Sequence, residues 1–444
     1  MLETQPVKPS PTPLSLAGSA LRRRLPAQQL LTGSGLFFLS TLLVNAGNYC
    51  FNLLLGRLLG PALFADVSLI ITLFLFLTFI TAGFQQTAAK FAAIYSANQD
   101  AAQLWALRRW LNRRSWVIGL FFCVLVGGAA PFWQTFFHTT SPWLFVLFAI
   151  GLPFYFVQGI DRGLLQGQMR FGLLATSYQA EMWVRLLLGL GLVLLGWAAY
   201  GAVLALTLSI IATWAVAAYG LRQTEGRTPS IKGGAATFGI GERQALLAFA
   251  LPVLLVEISL ILINNSDVLL VKRFFDSATA GQYAALALIG RIVFFGTWSV
   301  VITMFPLVAQ KAQRGDPHRQ ILWMSLGMVA GVSCVIVTAT AVAPTMIIQL
   351  LFGAAYLPVA PLLWLYALAT ALFALANVLI NYHLALGNRD GAFLALTAGL
   401  CQVVLLFFFH ATLEQVVVIQ VGLMGALLLL LLLWDQVGLY KSKG

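Results

Sequence analysis

Twelve apolar runs recur along this chain, each near the ~20 residues that a helix needs to cross ~30 Å of hydrocarbon. They fall at about Leu36 to Leu55, Phe64 to Phe84, Trp116 to Phe136, Trp143 to Ile160, Met182 to Ala199, Ala202 to Tyr219, Ala245 to Asn265, Ala280 to Val301, Ile321 to Ala341, Val359 to Tyr382, Ala392 to Phe409 and Val416 to Leu433. Backbone groups in lipid must be satisfied within the segment, so the expected fold is an all-α polytopic membrane protein of twelve transmembrane helices.

Charge gives the runs an orientation. All but four of the 26 lysines and arginines fall on one side of the zigzag; the exceptions are Arg57, Lys272 and Arg273 on the other side and Arg291 inside a span. The positive-inside rule then places both termini in the cytoplasm and the protein in the cell membrane. Hydrophobic residues make up 60% of the chain, charged residues 9%, and the mean hydropathy is +0.90, which leaves little material for a separate soluble domain. The net charge of +12 is strung along short loops rather than gathered on one face, so nucleic acid is not an expected partner.

Cys50, Cys123, Cys334 and Cys401 all fall within spans, where a thiol behaves as a small apolar group. The four histidines are scattered, with no zinc-ligand spacing, so neither a metal nor another cofactor is expected. No Gly-x-x-x-x-Gly-Lys-Ser/Thr run marks an ATP site, and no catalytic set is placed on a loop. No enzyme is expected, and any transport is expected to be driven by a gradient, by the membrane potential or by consumption of product.

The proline-rich residues 1–32 read as a disordered cytoplasmic tail, 33–221 as a first half of six spans, and 222–244, with Gly226, Gly233, Gly234, Gly239 and Gly241, as a cytoplasmic linker. Residues 245–434 read as a second half of six spans and 435–444 as a cytoplasmic tail. The two halves resemble each other. Leu54-Leu55-Gly56-Arg57-Leu58-Leu59-Gly60 is similar to Leu270-Val271-Lys272-Arg273-Phe274-Phe275-Asp276, an offset of 216 that also pairs Asn48 with Asn264. Leu164 to Gly167 matches Leu384 to Gly387 in the same way, at an offset of 220. An even number of spans per repeat implies two pseudo-symmetric lobes related by an axis along the membrane normal, with a substrate path between them.

Several polar residues fall where hydrocarbon penalises them. Thr41, Asn45, Asn48 and Asn52 share one face of the first span, a stripe that needs a wet cavity or helix partners. Glu257 and Arg291 lie near the midplane of spans seven and eight, either as a mutual ion pair or as functional groups: Arg291 for an anionic substrate and Glu257 as its restraint or as a coupling site. Glu181 and Arg185 form an i,i+4 pair at the inner end of span five, and Asp161 and Arg162 flank span four; these read as interfacial pairs or as the charged mouth of a cleft. Gly159, Gly163 and Gly167 recur every four residues and read as close helix packing.

Asn264-Asn265-Ser266-Asp267-Val268-Leu269-Leu270-Val271-Lys272, with Ala280-Gly281-Gln282-Tyr283 after it, resembles the seventh-to-eighth helix signature of the polysaccharide transporter family, the Wzx-type oligosaccharide flippases of the MOP superfamily. Gly56-Arg57-Leu58-Leu59-Gly60-Pro61, Phe305-Pro306 and Leu351-Phe352-Gly353-Ala354-Ala355-Tyr356 extend the resemblance, which covers about Gly33 to Leu433. It implies a V-shaped pair of six-helix lobes, as in MATE-like transporters. Its implied task is to move a polyprenyl-diphosphate-linked oligosaccharide from the inner to the outer leaflet by alternating access, for cell-surface polysaccharide biosynthesis. Of the site residues, Asp267 and Arg291 stand in motif positions. Implied partners are the lipid-linked oligosaccharide, membrane lipids, a coupling proton or sodium ion, and a polysaccharide polymerase and glycosyltransferases. The competing expectation is a MATE-like, cation-coupled antiporter of drugs or metabolites.

Overall fold

The computed structural model describes residues 13–225, 239–388 and 390–443, and every regular element among them is helical. In order these are α1 (Pro13–Ala97), α2 (Ala101–Cys123), α3 (Ala130–Phe137), α4 (Trp143–Gly167), α5 (Phe171–Leu192), α6 (Ala198–Glu225), α7 (Ile240–Phe274), α8 (Ser277–Gly290), α9 (Ile292–Arg314), α10 (Arg319–Val342), α11 (Pro344–Leu351), α12 (Leu363–Ala385), α13 (Asp390–Phe408) and α14 (Leu413–Lys443). Nine stretches among the described residues are long and apolar enough to cross a membrane, or ten if the pair Ala101–Gly128 and Ala130–Phe137, bent by 61°, counts as one. Large apolar side chains such as Leu194, Leu195, Val335 and Val342 are more than two-thirds exposed on the outside of the bundle, an arrangement that suits lipid as the solvent.

Two of the nine are too long for one crossing. Leu39–Ala97 runs through Gly60, whose backbone (φ 71°, ψ 171°) leaves the helical region, and Phe171–Arg222 runs through Gly196 (φ 90°, ψ 7°). A positive φ costs a residue with a Cβ but not glycine, so the first break is made at one glycine, while the second combines Gly196 with Ala198, itself at φ 47°. At the repeat offset of 216, Gly60 aligns with Asp276, the N-cap of α8, which accepts from the backbone N–H groups of Ala278 and Thr279 at 3.0 and 3.1 Å. Gly387 (φ 83°) follows α12 at the place aligned with Gly167, the last residue of α4. The turns of the two halves fall where their sequences match.

Several boundaries differ from the sequence reading. The tail is helical from Pro13 onward, since leucine, alanine, arginine and glutamine dominate there and Pro13 takes the first helical position, where its missing N–H is no loss; residues 1–12 lie outside the described part. The linker contracts, because α6 continues to Glu225 and Gly239 already caps α7, leaving 226–238 outside the description. Arg389 lies outside it as well. Helix α14 carries the expected C-terminal tail through Lys443. Lys272 and Arg273, expected in a turn, form the last turn of α7, where cations favour the helix dipole.

Burial is uneven from end to end. Around the Gly60 turn, residues of both halves share one large core, including Phe51, Phe64, Phe145, Tyr283, Tyr356 and Val417. At the opposite end the halves keep separate cores, one around Leu107, Leu164 and Leu174 and another around Met304, Val329 and Leu379. The exception is the start of α7: Leu246 joins the first-half core, and Lys90 on α1 sits 3.9 Å over the Phe249 ring. Helix α8 packs on α1, whereas α9, its continuation, packs on α10 and α12. The two halves therefore share a core at the Gly60 end and keep separate cores at the end that bears most of the positive charge, where α7 still packs on α1.

Candidate functional site

Among the charged clusters within the described helices, two contain the residues singled out from the sequence, one in each half. In the first, α4 and α5 bring two guanidiniums onto one carboxylate. Arg162 Nη2 donates to Glu181 Oε2 at 2.8 Å, and Arg185 Nη2, one turn on from Glu181, donates to its Oε1 at 2.5 Å. Arg162 also donates to the Ser177 hydroxyl and carbonyl, both at 3.2 Å, and stacks 3.7 Å over the Tyr178 ring. Arg185 reaches Asn48 Oδ1 on α1 at 3.3 Å and Ser209 Oγ on α6 at 3.4 Å. Neighbouring Asp161 turns away to Arg108, at 3.5 Å. The cluster thus holds two positive charges against one negative, with side chains only 7–13% exposed.

The i,i+4 spacing of Glu181 and Arg185 foretold their pair. It did not foretell their place, since Arg185 lies mid-helix and is buried rather than at an interfacial mouth. Arg162, read as flanking a span, is likewise enclosed in α4.

In the second half, Asp267 on α7 is the hub. Its carboxylate accepts from Tyr283 at 2.9 Å and Tyr366 at 2.7 Å, and lies 3.3 Å from Arg291 Nη2. Arg291 Nη1 donates to Asn265 Oδ1 at 3.2 Å, and Gln420 donates to the Tyr283 hydroxyl at 2.8 Å. Arg291 occupies the break between α8 and α9, where Gly290 lies against the Tyr366 ring. Helices α7, α8, α12 and α14 thereby converge on one charge-balanced pair.

Of the two alternatives for Glu257 and Arg291, the mutual ion pair does not occur. Glu257 instead accepts from Gln86 of α1 at 2.9 Å, across the two halves. Arg291 takes Asp267, which is ten residues nearer the Gly60 end of α7 because that helix runs on to Phe274. Of the polar stripe, Asn48 meets Arg185, Asn52 donates to the Asn48 carbonyl at 2.8 Å, and Asn45 is exposed. Thr41 and Asn264 satisfy carbonyls of their own helices, those of Phe37 and Leu260, each at 2.8 Å. The stripe and Arg185 come together; Asn264, Asp267 and Arg291 form no contact with them.

Sequence reasoning named Tyr283 only as part of a motif and passed over Tyr366 and Gln420, because a single polar group on an apolar helix looks like any other until its partner is known. It also passed over Asp66, a carboxylate within the second span, for which the rarity of intramembrane charge was signal enough. Among the described residues no three of His, Cys, Asp and Glu gather to hold a metal ion.

Residues 30–312 match the family model described as polysaccharide biosynthesis protein. No curated protein matches the chain. Among solved structures, a multidrug resistance MATE family transporter of the MOP superfamily in its inward-facing conformation superposes with a TM-score of 0.74 at 13% identity, covering 90% of this chain and 95% of that one. An outward-facing structure of a MATE transporter reaches 0.63 at 14% identity, with coverages of 94% and 98%. Lipid II flippase MurJ, in an inward closed conformation, gives 0.67 at 15% identity, with 90% and 87% covered. With a family model matching well over half its length, this chain belongs to the polysaccharide biosynthesis protein family, and its multi-helix membrane fold is the one seen in a MATE transporter and in lipid II flippase MurJ.

Proposed function

We propose that the chain is a flippase that moves a polyprenyl-diphosphate-linked oligosaccharide from the inner to the outer leaflet by alternating access. Dividing the over-length helices at Gly60 and Gly196 brings the ten crossings to twelve, in two six-helix lobes on either side of residues 226–238. With the positively charged end in the cytoplasm, the shared core closes the outer side and the separated cores open the inner one. The observation that carries the reading is the cluster in which Arg162 and Arg185 share Glu181. A surplus guanidinium in a weakly hydrated site favours an anion, and the planar fork of arginine fits the oxygens of a diphosphate. Beside it, Asn45, Asn48 and Asn52 offer hydrogen bonds to hydroxyl groups.

A MATE-like antiporter of organic cations would want surplus negative charge, the reverse of this balance. Arg291 is assigned a structural role, since Asp267 already neutralises it. Glu257, whose described partner is the neutral Gln86, is assigned to coupling with a proton or sodium ion. The test is flipping of a fluorescent polyprenyl-diphosphate oligosaccharide in proteoliposomes, read by quenching from outside. Equal flipping by protein-free vesicles, or by the Arg162→Gln/Arg185→Gln variant, refutes the assignment.

A further inference from the structure

At the Gly60 end, where both halves share their core, one ion pair crosses between them. Lys272, in the last turn of α7, lies 2.7 Å from Asp66 Oδ1 on α1, and the two side chains are 2% and 0% exposed. Each charge is fully provided for. Asp66 Oδ2 accepts from the Thr140 backbone N–H at 2.9 Å and its hydroxyl at 2.7 Å, while Lys272 donates to Ser277 Oγ at 2.9 Å and to the His138 carbonyl at 3.4 Å. Asp66, His138 and Thr140 belong to the first half, Lys272 and Ser277 to the second. The aligned seam is closed by contacts other than ion pairs: the Tyr356 hydroxyl donates to the Gly56 carbonyl at 2.6 Å, Arg57 donates to the Leu350 carbonyl at 3.0 Å, and Gly281 admits the Pro61 carbonyl where a Cβ would collide.

We propose that Asp66 and Lys272 form a reversible latch that holds the outer end shut and is broken and rehydrated each time the transporter opens outward. This rests on the alternating-access reading above. The physical ground is the balance peculiar to buried ion pairs. Desolvation of the two ions roughly cancels their attraction, so full separation into water costs little, whereas removing one partner strands a buried charge. An apolar contact of the same size has no such return, since opening it only exposes hydrocarbon to water. A partial opening that parts the charges without admitting water is the worst state of all, so the latch favours two end states over intermediates. When open, Asp66 keeps Thr140 and Lys272 keeps Ser277, so each half retains its own cradle.

The latch makes two predictions of opposite sign. Asp66→Asn leaves Lys272 buried without a counter-charge and drives the equilibrium outward-open. The double replacement Asp66→Leu with Lys272→Met removes both ions and drives it closed. The reporter is a single cysteine at Ala285, one turn from Gly281 and 1% exposed in the shared core, in full-length protein whose four native cysteines are replaced. Its rate of reaction with a membrane-impermeant maleimide is measured in intact cells and in permeabilised membranes. We expect at least a tenfold rise with Asp66→Asn, at least a tenfold fall with the double apolar variant, and a rate near the parent's for the exchanged pair Asp66→Lys with Lys272→Asp. Unchanged rates for both Asp66→Asn and the double variant, in either preparation, overturn the latch. So does a change of the same sign in both variants. A rise seen only after permeabilisation keeps the latch but overturns the orientation on which the flippase reading stands. Opposite shifts together with unimpaired transport of an organic cation and none of the lipid-linked oligosaccharide keep the latch and overturn the substrate.

Discussion

Arg185→Gln isolates the surplus charge on which the substrate assignment rests. In the parent, Arg185 and Arg162 both hold Glu181, at 2.5 and 2.8 Å. Removing Arg185 leaves Arg162 paired with Glu181 in a neutral, hydrogen-bonded couple, so the fold should lose only ~1–2 kcal/mol, the value of one or two hydrogen bonds. The ligand loses much more. A unit charge ~5 Å from one phosphoryl group, at an effective dielectric constant of ~20, contributes about 3 kcal/mol. At 1.4 kcal/mol per decade, that is an affinity loss of roughly 100-fold. Binding of a polyprenyl diphosphate to protein in nanodiscs, measured by thermal shift, should weaken by that factor, while binding of the matching polyprenol should not change. Arg185→Lys should lie between, and Glu181→Gln should bind the diphosphate more tightly in a less stable protein, because two guanidiniums then face each other without a carboxylate. Folded Arg185→Gln that binds the diphosphate as well as the parent would falsify the assignment, as would an equal loss for the polyprenol.

Arg291→Ala should strip Asp267, 1% exposed, of its cation and cost ~3–5 kcal/mol; a fall in thermal midpoint is expected, and a fully stable variant with lost transport would return Arg291 to the substrate. Glu257→Gln should leave stability near the parent value, since Gln86 retains a hydrogen-bonding partner, and should flatten the dependence of flipping on an imposed proton or sodium gradient. Gly281→Val should collide with the Pro61 carbonyl and loosen the outer seam, seen as faster maleimide labelling at Ala285. Cysteines at Ser277 and Lys443 should react from the outside and the inside respectively; labelling of Lys443→Cys from outside intact cells would reverse the topology.

How far the sequence could be read depended on how local each signal was. The apolar runs announced membrane helices, because hydrocarbon punishes every polar backbone group regardless of neighbours. The 216-residue offset located the turns at Gly60 and Asp276, since a turn is written by a few adjacent residues. The Glu181–Arg185 pair followed from helical spacing alone. What stayed hidden was set by contacts between distant segments. Nothing near Asp267 names Tyr366, 99 positions away, as its hydrogen-bond donor. Nothing near Glu257 directs it to Gln86, 171 positions earlier, rather than to Arg291. Depth was misjudged for a related reason: α7 runs to Phe274, beyond the apolar run, so Asp267 and Lys272 belong to the bundle and not to a turn.

The charges of this chain fall into two physical classes, and the distinction explains why its ionisable residues cannot be assigned by depth alone. Asp267 with Arg291 and Asp66 with Lys272 are matched one to one in charge, and hydroxyl and amide donors surround their carboxylates, so neither pair carries a surplus charge for a ligand. Such pairs contribute position rather than affinity: one ties α7, α8, α12 and α14 at the α8–α9 break, and the other ties the halves at the Gly60 end. The Arg162, Arg185 and Glu181 cluster is unmatched, and an unmatched charge in a membrane is tolerated only where water or a counter-ion can reach it. It lies beside the asparagine stripe of the first span, where the cores of the two halves have parted. On the proposed flippase reading, a bound diphosphate would complete its charge balance and remove its need for water. Closing the proposed inner end around a loaded site would then cost less than closing it around an empty one, which would couple occupancy to the alternation of access.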